Sequence, residues 1–128
     1  MAQHNTLGAA GEQFAYEFLI REGFIVRERN WTMNHLEVDI IAERNGTFHF
    51  VEVKTRAANI INAASVISES KVRNIINAGK AYFRFYNIAQ ISMQIDIIYV
   101  IGQPGNFKIL HIENAVKPHH RNVKPRWR

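Results

Sequence analysis

The stretch from Val38 to Lys54 constrains the fold more than any other part of the chain. Two runs rich in β-branched and aromatic residues are separated there by a short polar turn that contains Asn45-Gly46. This dipeptide between two such runs is the strongest short-range signal for a hairpin with a two-residue type I′ turn. If these two residues form the loop, Arg44 faces Thr47, and this pair sets the register of both strands.

Charged side chains interrupt this hairpin where core strands would carry apolar ones. The register places Asp39 opposite Glu52 and Glu37 opposite Lys54, all on one face, because strand side chains alternate. Opposed residues have Cβ atoms roughly 4.5 to 5.5 Å apart, so two half-buried carboxylates repel each other. A proton on one carboxyl, the Lys54 ammonium or a divalent cation could offset the repulsion. His49 points to the other face from Glu52, which indicates a structural residue.

A plain charge cluster is the alternative interpretation of this patch. In that arrangement Lys54 pairs with Glu37 while Asp39 and Glu52 reach solvent. The hairpin register by itself leaves both interpretations open.

The rest of the chain carries the patterns of two helices and three further strands. Apolar residues at helical spacing predict a helix over about residues 6–22, and Ser68 is a plausible N-cap for a second helix that contains Phe83. The predicted strands are Phe24–Trp31, Leu36–Glu43, Thr47–Lys54, Ser92–Ile101 and Phe107–Ile112. This order predicts an α/β fold in one domain, a mixed β-sheet flanked by helices.

Composition narrows the class of protein. A chain of 128 residues with 47% hydrophobic and 21% charged residues is typical of a soluble globular domain. No apolar stretch approaches the roughly 18 to 20 residues that span a bilayer, and no secretory signal is visible. The absence of cysteine excludes disulfides and thiolate zinc sites, which favours a cytoplasmic location.

The net charge of +5 is concentrated at the C-terminus. Five basic residues follow Glu113, the last acidic residue, and the other 11 basic residues balance the 11 acidic ones. We therefore predict a folded domain over residues 1–116 and a basic tail over residues 117–128 that suits phosphate contact and base stacking. A solvated, frayed terminus is the alternative for this tail. The basic tail residues are Lys117, Arg121, Lys124, Arg126 and Arg128.

Several separated motifs resemble one family of nucleases. Asp39 followed by Glu52-Val53-Lys54 resembles the PD-(D/E)XK motif of restriction-endonuclease-like folds, and the chain is most similar to the bacterial YraN family of predicted endonucleases, relatives of archaeal Holliday junction resolvases. The resemblance covers roughly residues 7–101. The matching residues are Gly8, Gly11, Glu12, Ala15, Asn30, Trp31, Glu37, Asp39, Phe50 to Arg56, Lys71 and Asp96.

This resemblance implies a metal-dependent endonuclease that acts on DNA, with branched or junction DNA as a candidate substrate. Asp39 and Glu52 would hold Mg²⁺ or Mn²⁺, with the backbone carbonyl of Val53 as a third oxygen ligand. Lys54 would orient or deprotonate the attacking water, and Glu12 would add a carboxylate from the first helix. A homodimer is a further expectation, because junction-cleaving relatives act as symmetric dimers.

Basic residues outside the tail complete the predicted DNA surface. One face of the second helix carries a basic stripe whose alternative interpretation is simple solvation. A non-catalytic nucleic-acid-binding module of the same fold is the competing function. The predicted DNA contacts of the domain are Arg56, Lys71, Arg73, Lys80 and Arg84.

Overall fold

Two helices and five strands make up the described chain, which covers residues 6–57, 67–89 and 92–116 of a computed structural model. Their order, helix, three strands, helix, two strands, is the order predicted from the sequence. The predicted tail and domain boundary at residues 117–128 lie outside the described residues. The elements are α1 (Thr6–Arg21), β1 (Ile25–Met33), β2 (Leu36–Arg44), β3 (Thr47–Arg56), α2 (Glu69–Phe85), β4 (Ser92–Ile101) and β5 (Lys108–Ile112).

The strands form one mixed sheet in the order β1-β2-β3-β4-β5. β1, β2 and β3 are antiparallel neighbours, β3 and β4 are parallel, and β4 and β5 are antiparallel. A parallel pair needs a crossover connection, and α2 lies in the connection between β3 and β4. The predicted fold class, a mixed α/β sheet flanked by helices, is therefore confirmed.

The β2–β3 hairpin has the predicted turn and register. Asn45 and Gly46 both have positive φ, 54° and 77°, as a type I′ turn requires. The pairing runs from Arg44–Thr47 to Ile40–Val51 and ends there. The predicted Asp39–Glu52 and Glu37–Lys54 pairs thus lie just beyond the ladder.

Each helix covers one face of the sheet with an apolar layer. Residues Ala15, Phe18 and Leu19 of α1 pack against one face, and Ile75 and Phe83 of α2 pack against the other. Because both faces of the central strands are covered, β3 is buried continuously from Phe48 to Val51 and β4 from Ile95 to Ile101. The charged residues within these two strands therefore mark the polar sites of the sheet.

The N-terminus of α2 is capped as predicted. The Ser68 side chain accepts a hydrogen bond from the backbone N–H of Lys71 at 3.2 Å, which satisfies one free donor of the first turn. The capping hydrogen bond holds the backbone of Lys71 in the first turn of α2. In the part of the chain that is described, neither helix is long and apolar enough to cross a membrane.

Candidate active site

Asp39 lies where the β2–β3 ladder ends. Its carboxyl oxygen Oδ2 accepts a hydrogen bond from the backbone N–H of Val53 at 2.8 Å. The Asp39 side chain thus accepts the hydrogen bond that a backbone carbonyl of β2 would accept in a regular ladder. This contact explains why the predicted pair with Glu52 falls outside the ladder while both acids remain at the same site.

The pKa of Asp39 is raised to about 7. Burial is the largest cause, and the charges of Glu52 and Glu12 raise the pKa further, while the Val53 hydrogen bond and the charge of Lys71 lower it. The Asp39 carboxyl therefore lies among other acids, and the positive charge near it is too small to keep its pKa at the ordinary value. The repulsion predicted from the hairpin register is present, and burial strengthens it.

Two ammonium groups flank Glu52, one at each carboxylate oxygen. Lys71 Nζ lies 3.5 Å from Oε1 and Lys54 Nζ lies 3.8 Å from Oε2. The ion pair of Lys54 is thus with Glu52, whereas the charge-cluster alternative expected a pair with Glu37. The contact from Lys71 was not predicted, because it depends on where α2 crosses the sheet.

Gly11 allows α1 to approach β3 closely at this site. A Cβ atom added at Gly11 would lie 2.1 Å from Thr55 Oγ1, far inside van der Waals contact. Only glycine permits this approach without displacing the helix. The next residue, Glu12, is consequently brought beside the carboxylates of the hairpin.

Glu12 extends the acidic centre onto α1. Its pKa is raised, with burial as the largest cause and the charges of Glu37 and Glu52 adding to it, while the Arg29 charge and a hydrogen bond from the Asn30 side chain lower it. Four carboxyl groups therefore share one electrostatic neighbourhood. Sequence reasoning identified the acids but missed Arg29 and Asn30 as partners of Glu12.

Asn30 has an unusual backbone conformation beside this centre. It lies in β1 between residues that pair with Val38 and Ile40, so it stands level with Asp39. Its φ is 52°, a left-handed conformation that asparagine tolerates better than most residues. The asparagine in a strand-like run is the signal that sequence reasoning could have used.

Residues of α1 and β3 at this centre border a polar cleft of about 290 Å³. This volume accommodates a phosphate group with several waters at roughly 30 Å³ each. The cleft contains four of the predicted site residues together with Arg56, a predicted DNA contact. Its lining residues are Gly8, Glu12, Glu52, Val53, Lys54, Thr55 and Arg56.

The donor set fits a hard divalent cation. Asp39 and Glu52 supply carboxylate oxygens, and Mg²⁺ is usually bound through one or two carboxylates plus water. In the described part of the chain, the trio of acid or histidine ligand atoms lying within 4.8 Å of one another is instead His49, Asp96 and Glu113. A two-carboxylate site is thus the arrangement that fits Asp39 and Glu52.

A second polar cluster surrounds the buried Asp96. His49 Nδ1 and His111 Nε2 lie 2.7 and 2.8 Å from Oδ2, and the Gln94 amide and the Asn114 backbone N–H donate to Oδ1 at 2.9 and 3.0 Å. Burial opposes ionisation, but the hydrogen bonds and charges of His111 and His49 outweigh it and hold the pKa of Asp96 well below its ordinary value. Every position around this carboxylate is filled, which is typical of a structural network. The structural role predicted for His49 agrees with these contacts.

Four of the five predicted DNA-contacting residues of the domain fall into two groups. Lys71 and Arg56 lie at the acidic site, whereas Lys80 and Arg84 line a separate cavity of about 620 Å³ near the end of α2. Arg73 is exposed on α2. The five tail residues predicted to contact DNA lie outside the described residues.

Comparisons with known proteins identify relatives over most of the chain. A model of the uncharacterised protein family UPF0102 matches residues 11–100. A UPF0102 protein of Bacteroides thetaiotaomicron is 39% identical over 119 residues, covering 92% of this chain and 98% of its own length. One of Bacteroides fragilis is 40% identical over the same shares of both chains. Among solved structures, Archaeoglobus fulgidus Hjc, a Holliday junction resolvase, aligns with a TM-score of 0.49 and 16% identity over 94% of this chain and 87% of its own.

Proposed function

We propose that this chain, which belongs to the uncharacterised protein family UPF0102, is a metal-dependent endonuclease that hydrolyses phosphodiester bonds in DNA. The observation that carries the proposal is Asp39, a partly buried carboxyl whose pKa is raised to about 7 next to Glu52. Acids with perturbed pKa values beside ammonium groups and a polar cleft are typical of catalytic sites. The membership agrees with the resemblance to the YraN family.

Asp39 and Glu52 would hold Mg²⁺ or Mn²⁺, with the backbone carbonyl of Val53 as a further oxygen ligand. Glu12 would contribute a further carboxylate from α1. When bound, such a cation polarises the phosphoryl oxygen and lowers the pKa of a coordinated water. The cation would also offset the charge of the acids, because carboxylates in a cleft repel the DNA polyanion unless positive charge lies between them.

In this proposal Lys54 is the catalytic ammonium. Its Nζ lies 3.8 Å from Glu52 Oε2, and its side chain lines the cleft. An ammonium there orients the attacking water and stabilises the negative charge that develops on the phosphate as the new P–O bond forms and the ester P–O bond breaks. Arg56 lines the same cleft and is placed to hold the phosphate backbone.

The wider DNA surface extends along α2. Arg73 lies in its second turn, and Lys80 and Arg84 lie near its end on the same side of the helix, about 10 to 17 Å further along the axis at 1.5 Å per residue. We propose that this stripe, with the basic residues after Val116, contacts the phosphate backbone without reading sequence. Branched DNA as the substrate and a homodimer as the assembly stay predictions.

A non-catalytic DNA-binding module is the second candidate. The observation that favours it is that Glu52 already has two ammonium partners, Lys54 and Lys71, so this acid is compensated without a metal ion. The two functions differ in one measurable result, because only the nuclease breaks DNA in a reaction that needs a divalent cation.

The test is incubation of the purified protein with labelled linear, flapped and four-way DNAs, each in Mg²⁺, Mn²⁺ or EDTA. We expect cleavage of at least one DNA in a divalent metal and none in EDTA. Lys54→Met should reduce the rate by about a hundredfold or more, the usual range for loss of a positioned catalytic group, and should preserve metal binding. The matched control is Lys108→Met, which removes an exposed lysine on β5.

Two results would contradict the proposal. Binding of the DNAs without cleavage in either metal would favour the non-catalytic module. Equal rates for Lys54→Met and Lys108→Met would show that Lys54 has no catalytic role.

A further inference from the structure

The candidate active site contains a lysine, Lys71, that the catalytic assignment leaves without a role. Lys71 Nζ lies 3.5 Å from Glu52 Oε1, and the charge of Lys71 also lowers the pKa of Asp39. One ammonium therefore acts on both acids proposed to hold the cation. Lys54 contacts the other oxygen of Glu52.

Lys71 reaches Glu52 from a different element of the fold. Lys54 lies on β3, two residues from Glu52, whereas Lys71 lies in the first turn of α2, where its backbone N–H bonds to the Ser68 cap. Its side chain is 35% exposed, compared with 23% for Lys54. A long, half-exposed lysine on a capped helix can change partners by rotating its side chain, while its backbone stays in place.

A cation on Glu52 and an ammonium at the same carboxylate repel each other. Lys71 therefore opposes metal binding as long as Glu52 is its counter-ion. A DNA phosphate offers the same ammonium another negative partner and would move it away from the metal position. Metal and DNA would then each favour the binding of the other, because coupling between two ligands is reciprocal.

We propose that Lys71 couples DNA binding to metal binding: it is the counter-ion of Glu52 in the free protein and transfers to a DNA phosphate when substrate arrives. This inference rests on the proposed function, because it assumes that Asp39 and Glu52 hold the cation. It assigns Lys71 as a positioning residue that prevents tight metal binding in the absence of DNA.

The experiment measures the affinity of the full chain for Ca²⁺, a hard cation with the same oxygen preference. Isothermal titration is carried out at one salt concentration, with and without a saturating short duplex. The proteins are wild type, Lys71→Met, the charge-retaining Lys71→Arg, and Lys108→Met as a control for the loss of one positive charge elsewhere.

We expect Lys71→Met to bind Ca²⁺ about fivefold more tightly than wild type without DNA, the effect of losing one partly exposed ion pair. In wild type and Lys71→Arg, DNA should tighten Ca²⁺ binding by about fivefold or more. In Lys71→Met this gain should shrink, and Lys108→Met should match wild type in both measurements.

The outcomes separate this inference from the proposed function. If wild type binds Ca²⁺ but Lys71→Met shows the same affinity and the same gain from DNA, the coupling role is wrong and the nuclease proposal stands. If Lys108→Met changes both values as much as Lys71→Met does, the effect is one of net charge and the inference fails. If wild type binds no Ca²⁺ under either condition, both proposals fail.

Discussion

Asp39, which is partly buried, and Asp96, which is fully buried, are aspartates on the two strands that flank β3, and their surroundings differ in opposite directions. Burial by itself acts to raise the pKa of both carboxyls. Asp96 has four hydrogen-bond partners, two of them histidines, and its pKa is held well below its ordinary value. Asp39 has one backbone donor and acidic neighbours, and its pKa is raised to about 7.

The difference teaches that partners, and not burial alone, decide what a buried acid does. A carboxylate whose oxygens are fully bonded stabilises one structure. A carboxylate left short of positive charge destabilises the free protein and gains most from a cation. Asp96 thus serves the fold, and Asp39 is available for chemistry.

Replacing Asp39 should have the largest effect on function. Asp39→Asn removes the charge but keeps an oxygen that can accept the Val53 N–H. We expect cleavage to fall by at least about a hundredfold, since even outer partners of metal ligands cost 10- to 100-fold, and stabilisation by Mn²⁺ to disappear. Without metal, the melting temperature at pH 8 should stay the same or rise by about 2–4 °C. Thermal melts with and without Mn²⁺ measure both effects, and a wild type that gains no stability from millimolar metal would rule out the site.

Replacing Asp96 should have the largest effect on stability. Asp96→Asn places an uncharged amide against His49 and His111, and breaking a buried charged network costs about 3 kcal/mol. The melting temperature should fall by about 10 °C. Gln94→Ala is the matched control, because it removes one neutral donor of the four, worth about 1 kcal/mol. Equal losses in the two variants would mean that the charge of Asp96 contributes nothing.

The two acids should give opposite pH dependences in the metal-free protein. The folded pKa of Asp39 is raised, so its favourable contribution is present below the unfolded pKa of about 4 and is lost as pH rises to about 7. The folded pKa of Asp96 is lowered, so its contribution is present above about 4 and is lost as pH falls below that value. Chemical denaturation of wild type, Asp39→Asn and Asp96→Asn between pH 3 and pH 8 measures both. The prediction is wrong if stability relative to Asp39→Asn does not fall between pH 4 and pH 7.

The same titration should govern metal affinity. A cation binds the ionised form of Asp39, so affinity for Mn²⁺ should fall about tenfold per pH unit below 7 and level off above it. Titration calorimetry at several pH values, with the proton release measured in two buffers, checks this. A flat profile from pH 5.5 to pH 8 would mean that Asp39 titrates elsewhere or is not a ligand.

Replacing Glu12 should have the smallest of these effects. Its charge raises the pKa of Asp39, so Glu12→Gln should move the midpoint of metal binding to lower pH. Above pH 8 the loss of one nearby negative charge should weaken Mn²⁺ binding by about threefold. The matched control is Glu17→Gln, an exposed acid further along α1. A hundredfold loss would instead make Glu12 an indispensable metal ligand.

The sequence by itself determined the hairpin, its register and the fold class. Asn45-Gly46, the alternation in β3 and the Ser68 cap are local signals, because each depends on backbone conformation within a few residues. The same register predicted that Asp39, Glu52 and Lys54 lie near one another, although the ladder ends at Ile40–Val51. Near neighbours in the chain are placed by turn geometry alone, so these features could be predicted.

Only the tertiary structure decided how each acid is compensated. Lys71 meets Glu52 because α2 crosses from β3 to β4, and His111 meets Asp96 because β5 pairs with β4. Such contacts join residues far apart in the chain, and no periodicity or turn signal links them. The charge on a buried acid depends on those distant partners, which is why the sequence located the acids and the fold determined their pKa values.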